Sequence, residues 1–359
     1  MEKKITILKG DGIGPEIVNE AIKVLDAIAN KYNHKFVYNY ALVGGAAIDE
    51  YNDPFPQVTL DACLNSDSIL LGAVGGPKWD TIDPAIRPEK GLLKMRKALN
   101  LYSNLRPAKI YRQLAESSPL KQSIIDNGID IMMVRELTGG VYFGEHTTSE
   151  CNGVLTACDT MSYDVNEIKR VGIIAFETAR KRRNKLHSID KANVLDTSKL
   201  WRKVMHELSQ EYPDVEYADM LVDNAAMQLV KNPGQFDVVV TENMFGDILS
   251  DESSMITGSI GLMPSSSLGE STRGLYEPIH GSAPDIANMN IANPIGTILS
   301  AAMMLRYSFD MDKEAIEIEQ AVDKVLDDNY RTVDIMKDGM KQLSCSDMGD
   351  IIVSYIKGE

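Results

Sequence analysis

The sequence is short of positive charge and of long apolar runs. Its 37 Lys and Arg residues are outnumbered by 52 Asp and Glu residues, which gives a formal net charge of −15 at pH 7. An acidic chain repels phosphate backbones and anionic bilayers unless its basic residues are strongly clustered. No apolar run approaches the ~18 residues of a membrane span. We therefore expect neither nucleic acid nor a membrane among its partners.

Disulfide motifs and export signals are also missing. The four cysteines, Cys63, Cys151, Cys158 and Cys345, contain no CxxC pair. The apolar run near the N-terminus, residues 5–8, is too short for the core of a signal peptide. Cysteines in a chain without an export signal are best interpreted as reduced thiols. The sequence thus predicts a cytoplasmic protein.

Several enzyme motifs are absent as well. The five His residues form no HExxH or other paired-ligand spacing, and no GxSxG or Walker A stretch occurs. Zinc hydrolases, serine hydrolases and P-loop enzymes therefore lack support. A length of 359 residues suggests about two domains. Because no repeat or Pro/Ser-rich hinge divides the chain, composition sets no boundary between them.

Short apolar runs alternate with amphipathic stretches, which is the pattern of an α/β protein. After a strand at 4–8, apolar residues recur at helical spacing behind Pro15, a favoured first helical position. Gly, Thr, Ser and Val in 138–160 indicate a hairpin or an extended arm. Further strands are predicted at 36–43, 68–74, 103–110, 190–195, 215–222 and 236–241, and helices near 91–99, 166–185, 198–211, 313–328 and 347–356.

A glycine-rich stretch, Gly10 to Pro15, lies between the first strand and the first helix. It does not match GxGxxG, because Pro15 occupies the third glycine position and no suitably placed acidic residue follows. The stretch alone favours a tight turn with glycines at positive φ. Close approach of the backbone to a ligand is the other interpretation.

Three aspartates are candidate ligands for a cation. Asp247 and Asp251 are four residues apart in NMFGDILSDE, so on a helix both would face the same side, and Asp223 follows an apolar strand. Together they could hold one Mg²⁺ or Mn²⁺. The alternative is a structural role without metal binding, in which Asp247 is a helix N-cap and Asp251 a solvated surface residue. These residues alone favour that alternative.

Three arginines, Arg96, Arg106 and Arg135, lie beside the ends of predicted elements. Their planar guanidinium groups grip carboxylates bidentately, so convergence of the three would suit a di- or tricarboxylate. Taken singly, each could instead pair with one of the abundant acids. Lys191 and Tyr142 stand in HSIDKANVL and GGVYFGE, and each is individually more often structural than catalytic.

Taken in order, these motifs resemble the isocitrate/isopropylmalate dehydrogenase family of decarboxylating β-hydroxyacid dehydrogenases. The match extends over nearly the whole chain, and several long motifs together are far more specific than one glycine loop. The motifs are GDGIGPE at 10–16, GAVGGPKWD at 72–80, GLLKMRKALNLYSNLRP at 91–107, VRELTGGVYFGE at 134–145, DKANVL at 190–195, NMFGDILSDE at 243–252 and HGSAPDIA at 280–287.

The resemblance implies an α/β, two-domain fold with a large mixed sheet that is not a Rossmann fold. Residues 1–101 and 259–359 would form a discontinuous cofactor-binding domain. Residues 102–258 would form the dimerisation and substrate domain, with an intersubunit arm near 138–160. After Glu145 the sequence reads HTTSECNG, which departs from the arm sequence usual in the family.

The activity implied is NAD-dependent oxidative decarboxylation of (2R,3S)-3-isopropylmalate to 4-methyl-2-oxopentanoate and CO₂, a step of leucine biosynthesis. Isocitrate, homoisocitrate or tartrate/malate dehydrogenases of the same family are the alternatives. A non-catalytic metabolite-binding regulatory subunit is a rival from another class, which the presence of every acid, base and arginine clamp residue disfavours.

Residue roles follow from the motif matches. Asp223, Asp247 and Asp251 would hold Mg²⁺ or Mn²⁺ and, through Asp223, contact the substrate. Lys191 resembles the base that accepts the hydroxyl proton through water, and Tyr142 the acid that protonates C3. In a homodimer, Lys191 and Asp223 would serve the neighbouring subunit's active site.

Substrate and cofactor contacts complete the expected site. Arg96, Arg106 and Arg135 would clamp carboxylates, and Leu92, Leu93 and Val194 would supply an apolar wall. The carboxylate of Asp285 can accept hydrogen bonds from ribose hydroxyls and would repel a 2′-phosphate, which favours NAD over NADP. The alternative role of Asp285 is structural, as a helix N-cap. The implied cofactor contacts are Ile13, Gly75, Gly76, Glu89, Asn193, His280, Gly281, Ser282, Ala283, Pro284, Asp285, Ile286 and Asn293.

Overall fold

A computed structural model describes residues 1–359. The chain forms two compact units. Unit 1 comprises Met1–Leu101, Tyr111–Ser117 and Gly258–Glu359, and unit 2 comprises Tyr102–Ile110 and Ser118–Thr257. Both ends of the chain therefore belong to unit 1. The short segment Tyr111–Ser117, which the sequence-based division assigns to the central domain, also belongs to unit 1.

Strands and helices alternate along most of the chain. The strands are β1 (Glu2–Gly10), β2 (Lys35–Ala41), β3 (Ser68–Ala73), β4 (Ser103–Lys109), β5 (Asp130–Glu136), β6 (His146–Cys151), β7 (Val154–Asp159), β8 (Lys185–Asp190), β9 (Glu216–Leu221), β10 (Val238–Thr241), β11 (Pro264–Leu268), β12 (Gly274–Pro278), β13 (Tyr330–Arg331) and β14 (Lys341–Gln342). The helices are α1 (Gly14–Tyr32), α2 (Gly45–Tyr51), α3 (Gln57–Leu64), α4 (Pro88–Ala98), α5 (Gln122–Ile125), α6 (Val165–Arg180), α7 (Asp196–Ser209), α8 (Val222–Lys231), α9 (Asn243–Thr257), α10 (Ile295–Phe309), α11 (Asp312–Asp327) and α12 (Cys345–Lys357).

In unit 1, five strands lie in the order β2-β1-β3-β12-β11. The first four run parallel, and β11 is antiparallel to β12. Helix α1 begins beside Pro15 and buries the stripe Ile17, Val18, Ala21 and Leu25 against α10, α12 and β3. Parallel strands are stable when both faces are covered, and β3 is buried along its whole length.

In unit 2, five strands lie in the order β4-β5-β10-β8-β9. Strand β4 is antiparallel to β5, and the other neighbours are parallel. Helix α6 opens with a capping box formed by Asp164 and Glu167 and packs on β5 and β10. Helix α9 packs on β4 and β5, so its side chains meet those of two adjacent strands.

The predicted α/β class with a mixed arrangement of strands is confirmed, and each unit mixes parallel and antiparallel pairs. The predicted strand at 190–195 is wrong. Strand β8 is Lys185–Asp190, and the apolar residues after it lie in the turn that leads into α7. The predicted helix 166–185 ends at Arg180, before a turn in which Asn184 has a φ of 55°.

The sequence analysis did not predict α10, β11 and β12, and the reason is their burial. Helix α10 is buried on nearly every side, so its sequence has no polar stripe and no amphipathic periodicity. The short strands β11 and β12 are also largely buried and show no alternation.

Strands β6 and β7 form a hairpin in which every residue is exposed. The two-residue turn Asn152-Gly153 joins them, and both turn residues have positive φ, as tight hairpin turns require. The predicted hairpin is therefore confirmed. Cys151 and Cys158 lie on its two strands without pairing, and all four cysteines are free. No helix of the chain is long and apolar enough to cross a membrane.

Candidate active site

Helix α9 carries the two central aspartates of unit 2. The Glu242 carboxylate caps its beginning by accepting hydrogen bonds from the backbone N–H groups of Met244 (3.0 Å) and Phe245 (2.8 Å). Asp247 and Asp251 lie inside the helix, one turn apart. The N-cap alternative for Asp247 is therefore wrong, because Glu242 is the capping residue.

Two predicted arginines reach these aspartates from neighbouring strands. Arg135 on β5 forms an ion pair with Asp247 through Nη1. Arg106 on β4 places its Nη1 3.3 Å from Asp251 Oδ1 and 3.6 Å from Asp247 Oδ1. Asp251 is thus paired as well as exposed. Two cations and two anions form one cluster, whose formal charges cancel.

A glycine lets the Arg135 side chain lie close to the helix. A Cβ atom on Gly246 would lie 2.6 Å from Arg135 Cγ and 2.8 Å from its Cβ. Those distances are shorter than side-chain packing allows, so Gly246 admits the Arg135 stem along the face of α9.

Tyr142 joins the same cluster from the loop after β5. Its hydroxyl donates a hydrogen bond to Asp247 Oδ2 at 3.1 Å, and its ring centroid lies 5.9 Å from the guanidinium carbon of Arg135. Burial raises the pKa of Tyr142, and the negative charge of Asp247 raises it further. The hydroxyl is therefore protonated at neutral pH, as a proton donor must be.

Lys191 and Asp223 form a separate pair in unit 2. Lys191 lies in the turn after β8, and its Nζ donates to Asp223 Oδ1 on α8 at 2.7 Å. The hydrogen bond from Lys191 lowers the pKa of Asp223. No group of three or more His, Cys, Asp or Glu residues within the chain could hold a metal ion. One chain therefore does not assemble the predicted set of three aspartates.

The donor chemistry of α9 nevertheless fits part of a cation site. Asp247 and Asp251 offer carboxylate oxygens one helical turn apart, and oxygen is the ligand atom that Mg²⁺ and Mn²⁺ prefer. Burial raises the pKa of Asp251, Arg106 lowers it, and the charge of Asp247 raises it again. A divalent cation would favour the ionised form of both carboxylates.

The remaining predicted substrate residues are distributed over both units. In unit 1, Arg96 donates Nη2 to the buried Glu277 at 2.8 Å, whereas its own Nε is buried without a partner. Leu92 packs against the unit 1 core, and Leu93 is half-buried beside it. Val194 is 63% exposed in the turn that follows Lys191 in unit 2. Asn193 lies in the same turn and so belongs to unit 2, whereas the other predicted cofactor residues belong to unit 1.

Two of the predicted cofactor loops meet in unit 1. The backbone N–H of Ile13 donates to Ser282 O at 2.8 Å, and a Cβ atom on Gly12 would lie 2.0 Å from that oxygen. Gly12 has a φ of +57° and Gly10 a φ of +70°, so the glycine-rich stretch is a tight turn. The absence of a side chain at Gly12 also lets the backbone of this turn approach the backbone of the second loop at Ser282.

Buried polar groups around these loops are consistent with ligand binding. His280 Nε2 is buried without a hydrogen-bond partner, and burial lowers the His280 pKa. The Asp11 carboxylate accepts the N–H groups of Gly45, Ala46 and Gly75, each at 2.8 Å, which fixes the turn. An unpaired buried nitrogen is costly unless a ligand satisfies it.

The other predicted cofactor residues also lie in unit 1. Gly75 has a φ of +103°, and a Cβ there would lie 2.8 Å from Glu89 Oε1. Asn293 donates to Asp334 at 3.1 Å, a partner that the sequence analysis missed.

Asp285 is exposed, and no helix begins there, so its N-cap alternative is wrong. Gly76, Gly281, Ala283, Pro284 and Ile286 occupy the same two loop regions, 75–76 and 280–286.

Sequence reasoning missed two asparagines that contact the arginines. Asn104 lies two residues before Arg106 on β4, and Asn243 lies four residues before Asp247 on α9. The second could have been found, because Asn243, Asp247 and Asp251 recur every four residues on one helix face.

Comparisons with known proteins identify the family to which the chain is similar. The model of the isocitrate/isopropylmalate dehydrogenase family matches residues 4–352. The chain is 56% identical to the 3-isopropylmalate dehydrogenase of Clostridium pasteurianum, covering 99% of each chain, and 54% identical to that of Helicobacter hepaticus, covering 99% of this chain and 100% of the relative. Among solved structures, isocitrate dehydrogenase from Methylococcus capsulatus has a TM-score of 0.87 at 34% identity, with 99% of each chain covered.

Proposed function

The chain belongs to the isocitrate/isopropylmalate dehydrogenase family, and we propose on this premise that it catalyses NAD-dependent oxidative decarboxylation of 3-isopropylmalate in leucine biosynthesis. The observation that carries the proposal is the cluster of unit 2. It combines two guanidinium groups, two carboxylates and a protonated tyrosine around α9. Relatives at 54–56% identity over nearly their whole length are 3-isopropylmalate dehydrogenases, which supports the choice of substrate.

The charges of the cluster suit a dicarboxylate that binds together with a divalent cation. Arg106 and Arg135 balance Asp247 and Asp251. A dianionic substrate and a dication add no net charge to the cluster. The cation would replace the guanidinium groups as the partner of the aspartates, and the guanidinium Nη atoms could then bind the substrate carboxylates in a planar, bidentate way. We propose the same role for Arg96.

Asp247 and Asp251 would hold Mg²⁺ or Mn²⁺ from one side, and Asp223 of a neighbouring subunit would complete the set. The unit 1 loops at 10–15 and 280–286 would bind NAD. The chemistry that these bound groups supply is acceptance of a hydride by NAD and Lewis-acid polarisation of substrate oxygens by the cation. The protein contributes orientation, charge and proton transfer.

Proton transfer is assigned to Lys191 and Tyr142. Lys191 would accept the proton of the substrate hydroxyl through water, and Tyr142 would donate its proton to C3 after CO₂ has left. The raised pKa of Tyr142 keeps this proton in place until it is needed. The nearby Arg135 charge lowers the cost of the tyrosinate that remains.

A homodimer with shared active sites would explain why Lys191 and Asp223 pair apart from the α9 cluster. The exposed hairpin β6–β7 offers a surface for contact with a second copy. A cytoplasmic location remains a prediction.

Purified protein should reduce NAD when 3-isopropylmalate and Mg²⁺ are both supplied. The assay follows NADH formation with 3-isopropylmalate, isocitrate and malate in parallel, with and without excess chelator. Equal kcat/KM for isocitrate and isopropylmalate, or undiminished activity in chelator, would overturn the proposal.

Substrate selectivity should depend on the apolar wall. Burial of an isopropyl group should favour 3-isopropylmalate over malate by about 1–3 kcal/mol, roughly 5- to 150-fold in kcat/KM. Leu93→Ala should reduce this ratio. Leu60→Ala is the control, because Leu60 is another partly buried leucine of unit 1 and packs against its core. If neither variant changes the ratio, Leu93 does not line the substrate site.

Cofactor selectivity should depend on Asp285. Wild-type protein should use NAD in preference to NADP, and Asp285→Asn should narrow the preference by about tenfold, because a neutral side chain no longer repels a 2′-phosphate. The measurement is kcat/KM for each cofactor, with Asp338→Asn as an exposed control in unit 1. Higher kcat/KM with NADP in the wild type would contradict the prediction.

A further inference from the structure

A buried asparagine lies behind each arginine of the unit 2 cluster. Arg106 donates Nε to Asn104 Oδ1 at 2.7 Å. Arg135 donates Nε and Nη2 to Asn243 Oδ1, at 3.1 and 2.8 Å. Asn104 is fully buried, and Asn243 is 1% exposed. Both arginines therefore donate their Nε–H group to a neutral amide oxygen.

We propose that Asn104 and Asn243 are positioning residues, which orient Arg106 and Arg135 toward substrate carboxylates without neutralising their charge. This inference rests on the proposed function and deepens it, because it explains how the arginine clamp is prepared for an anion. Neither asparagine needs to touch the substrate.

The orientation of each guanidinium supports this division of labour. Arg106 Nη1 donates to Ser250 Oγ at 2.7 Å and lies 3.3 Å from Asp251. Arg135 Nη1 is the atom paired with Asp247. The asparagines thus hold the Nε edge, and the Nη1 atoms face the carboxylates of α9. Fixing a long side chain before the ligand arrives reduces the entropy lost on binding.

Two other arginines of unit 2, Arg182 and Arg202, have a buried carboxylate as a partner. Arg202 grips the buried Asp190 through two hydrogen bonds of 2.8 Å, and Arg182 donates Nε to the buried Asp237 at 2.8 Å. In those pairs the buried acceptor is a carboxylate, which cancels the charge of the arginine.

A carboxylate behind Arg106 or Arg135 would change the charge of the cluster. Arg106, Arg135, Asp247 and Asp251 cancel in formal charge, and the carboxyl group of Glu242 already interacts with Arg135. One more anion would add negative charge facing a dianionic substrate. In a partly buried site such repulsion is several times stronger than in water. A neutral acceptor avoids it while still supplying the hydrogen bond.

Asn243 also connects Arg135 to the segment that carries Tyr142. Its Nδ2 donates to Gly139 O at 3.0 Å, and its backbone N–H donates to the Tyr163 hydroxyl at 3.0 Å. One amide side chain therefore accepts from Arg135 and donates to the loop after β5. Aspartate at this position would keep the acceptor and lose the donor.

The test compares aspartate and serine at each position. Asn104→Asp and Asn243→Asp are nearly isosteric but add a charge, whereas Asn104→Ser and Asn243→Ser stay neutral and fit less well. We expect the aspartate variants to raise KM for 3-isopropylmalate at least about tenfold, with KM for NAD unchanged. The serine variants should raise it less. Titration calorimetry of 3-isopropylmalate with Mg²⁺ should give the same order for substrate affinity.

Control measurements separate positioning from a purely structural role and from the proposed function. Asn166→Asp adds the same charge to the exposed first turn of α6 and should leave KM unchanged. At position 104 a structural role alone predicts the reverse order, with serine worse than aspartate, and that order would overturn the proposal. Position 243 is not used for this comparison, because aspartate there also loses the hydrogen bond to Gly139 O. If an aspartate variant does not fold, its serine counterpart decides: a wild-type KM refutes the proposal, and a KM raised only for the substrate supports it. Wild-type protein that does not turn over 3-isopropylmalate would instead refute the proposed function.

Discussion

Replacement of Asp247 by asparagine should reduce turnover of 3-isopropylmalate by about a thousandfold, the effect of several kcal/mol of lost cation chemistry. Asp247 accepts from Tyr142, pairs with Arg135 and lies 3.6 Å from Arg106. The neutral amide keeps the size of the side chain and removes the charge that a divalent cation requires. Titration of Mn²⁺ in the presence of substrate should show weakened binding, independently of activity.

The matched control is Asp214→Asn, which removes an exposed carboxylate that pairs with Arg180 in the same unit. It should leave both turnover and Mn²⁺ binding unchanged. Wild-type Mn²⁺ affinity in Asp247→Asn would show that Asp247 is not a cation ligand, whatever its effect on rate.

Two inactive variants should restore activity when their subunits exchange. Lys191→Ala keeps Asp247, and Asp247→Asn keeps Lys191. In a dimer with shared sites, the mixed dimer has one site with both intact residues and one site with neither. An equal mixture with random exchange should recover roughly a quarter of wild-type activity, because half of the dimers carry one intact site of two.

Each variant taken alone through the same dissociation and reassociation serves as the control and should stay inactive. Native mass spectrometry establishes that mixed dimers have formed. Mixed dimers as inactive as either parent would mean that Lys191 and Asp247 act within one chain or not at all.

The charged residues and the tyrosine of the site could be predicted because long motifs in family order contain them, although each residue taken singly could equally be structural. Arg106, Arg135, Tyr142, Asp247 and Asp251 do form one cluster in unit 2. Lys191 and Asp223 pair with each other instead, and the sequence contained no spacing that could reveal this, because 32 residues separate them.

The less predictable features depend on burial. Asparagine is common in turns, so Asn104 gave no signal of a role inside a charged cluster. Asn243 gave one only through its four-residue spacing to Asp247 and Asp251. The segment after Asp190 looked like a strand because Val194 and Leu195 are apolar, although Val194 is exposed in the turn. Composition describes how apolar a segment is, and the tertiary structure decides which of its residues water can reach.

Unit 1 is built from three separate segments of the chain, which has a consequence for its folding during synthesis on the ribosome. Strand β3 pairs with β12, and the Ser68 hydroxyl donates to Gly274 O, a bond between residues 206 positions apart. The helix contact between α1 and α12 needs the last residues of the chain. Unit 2, by contrast, is complete once residue 257 has emerged. Residues 1–101 of unit 1 are translated first and therefore keep apolar surface unburied until the later segments are made, whereas unit 2 can fold earlier.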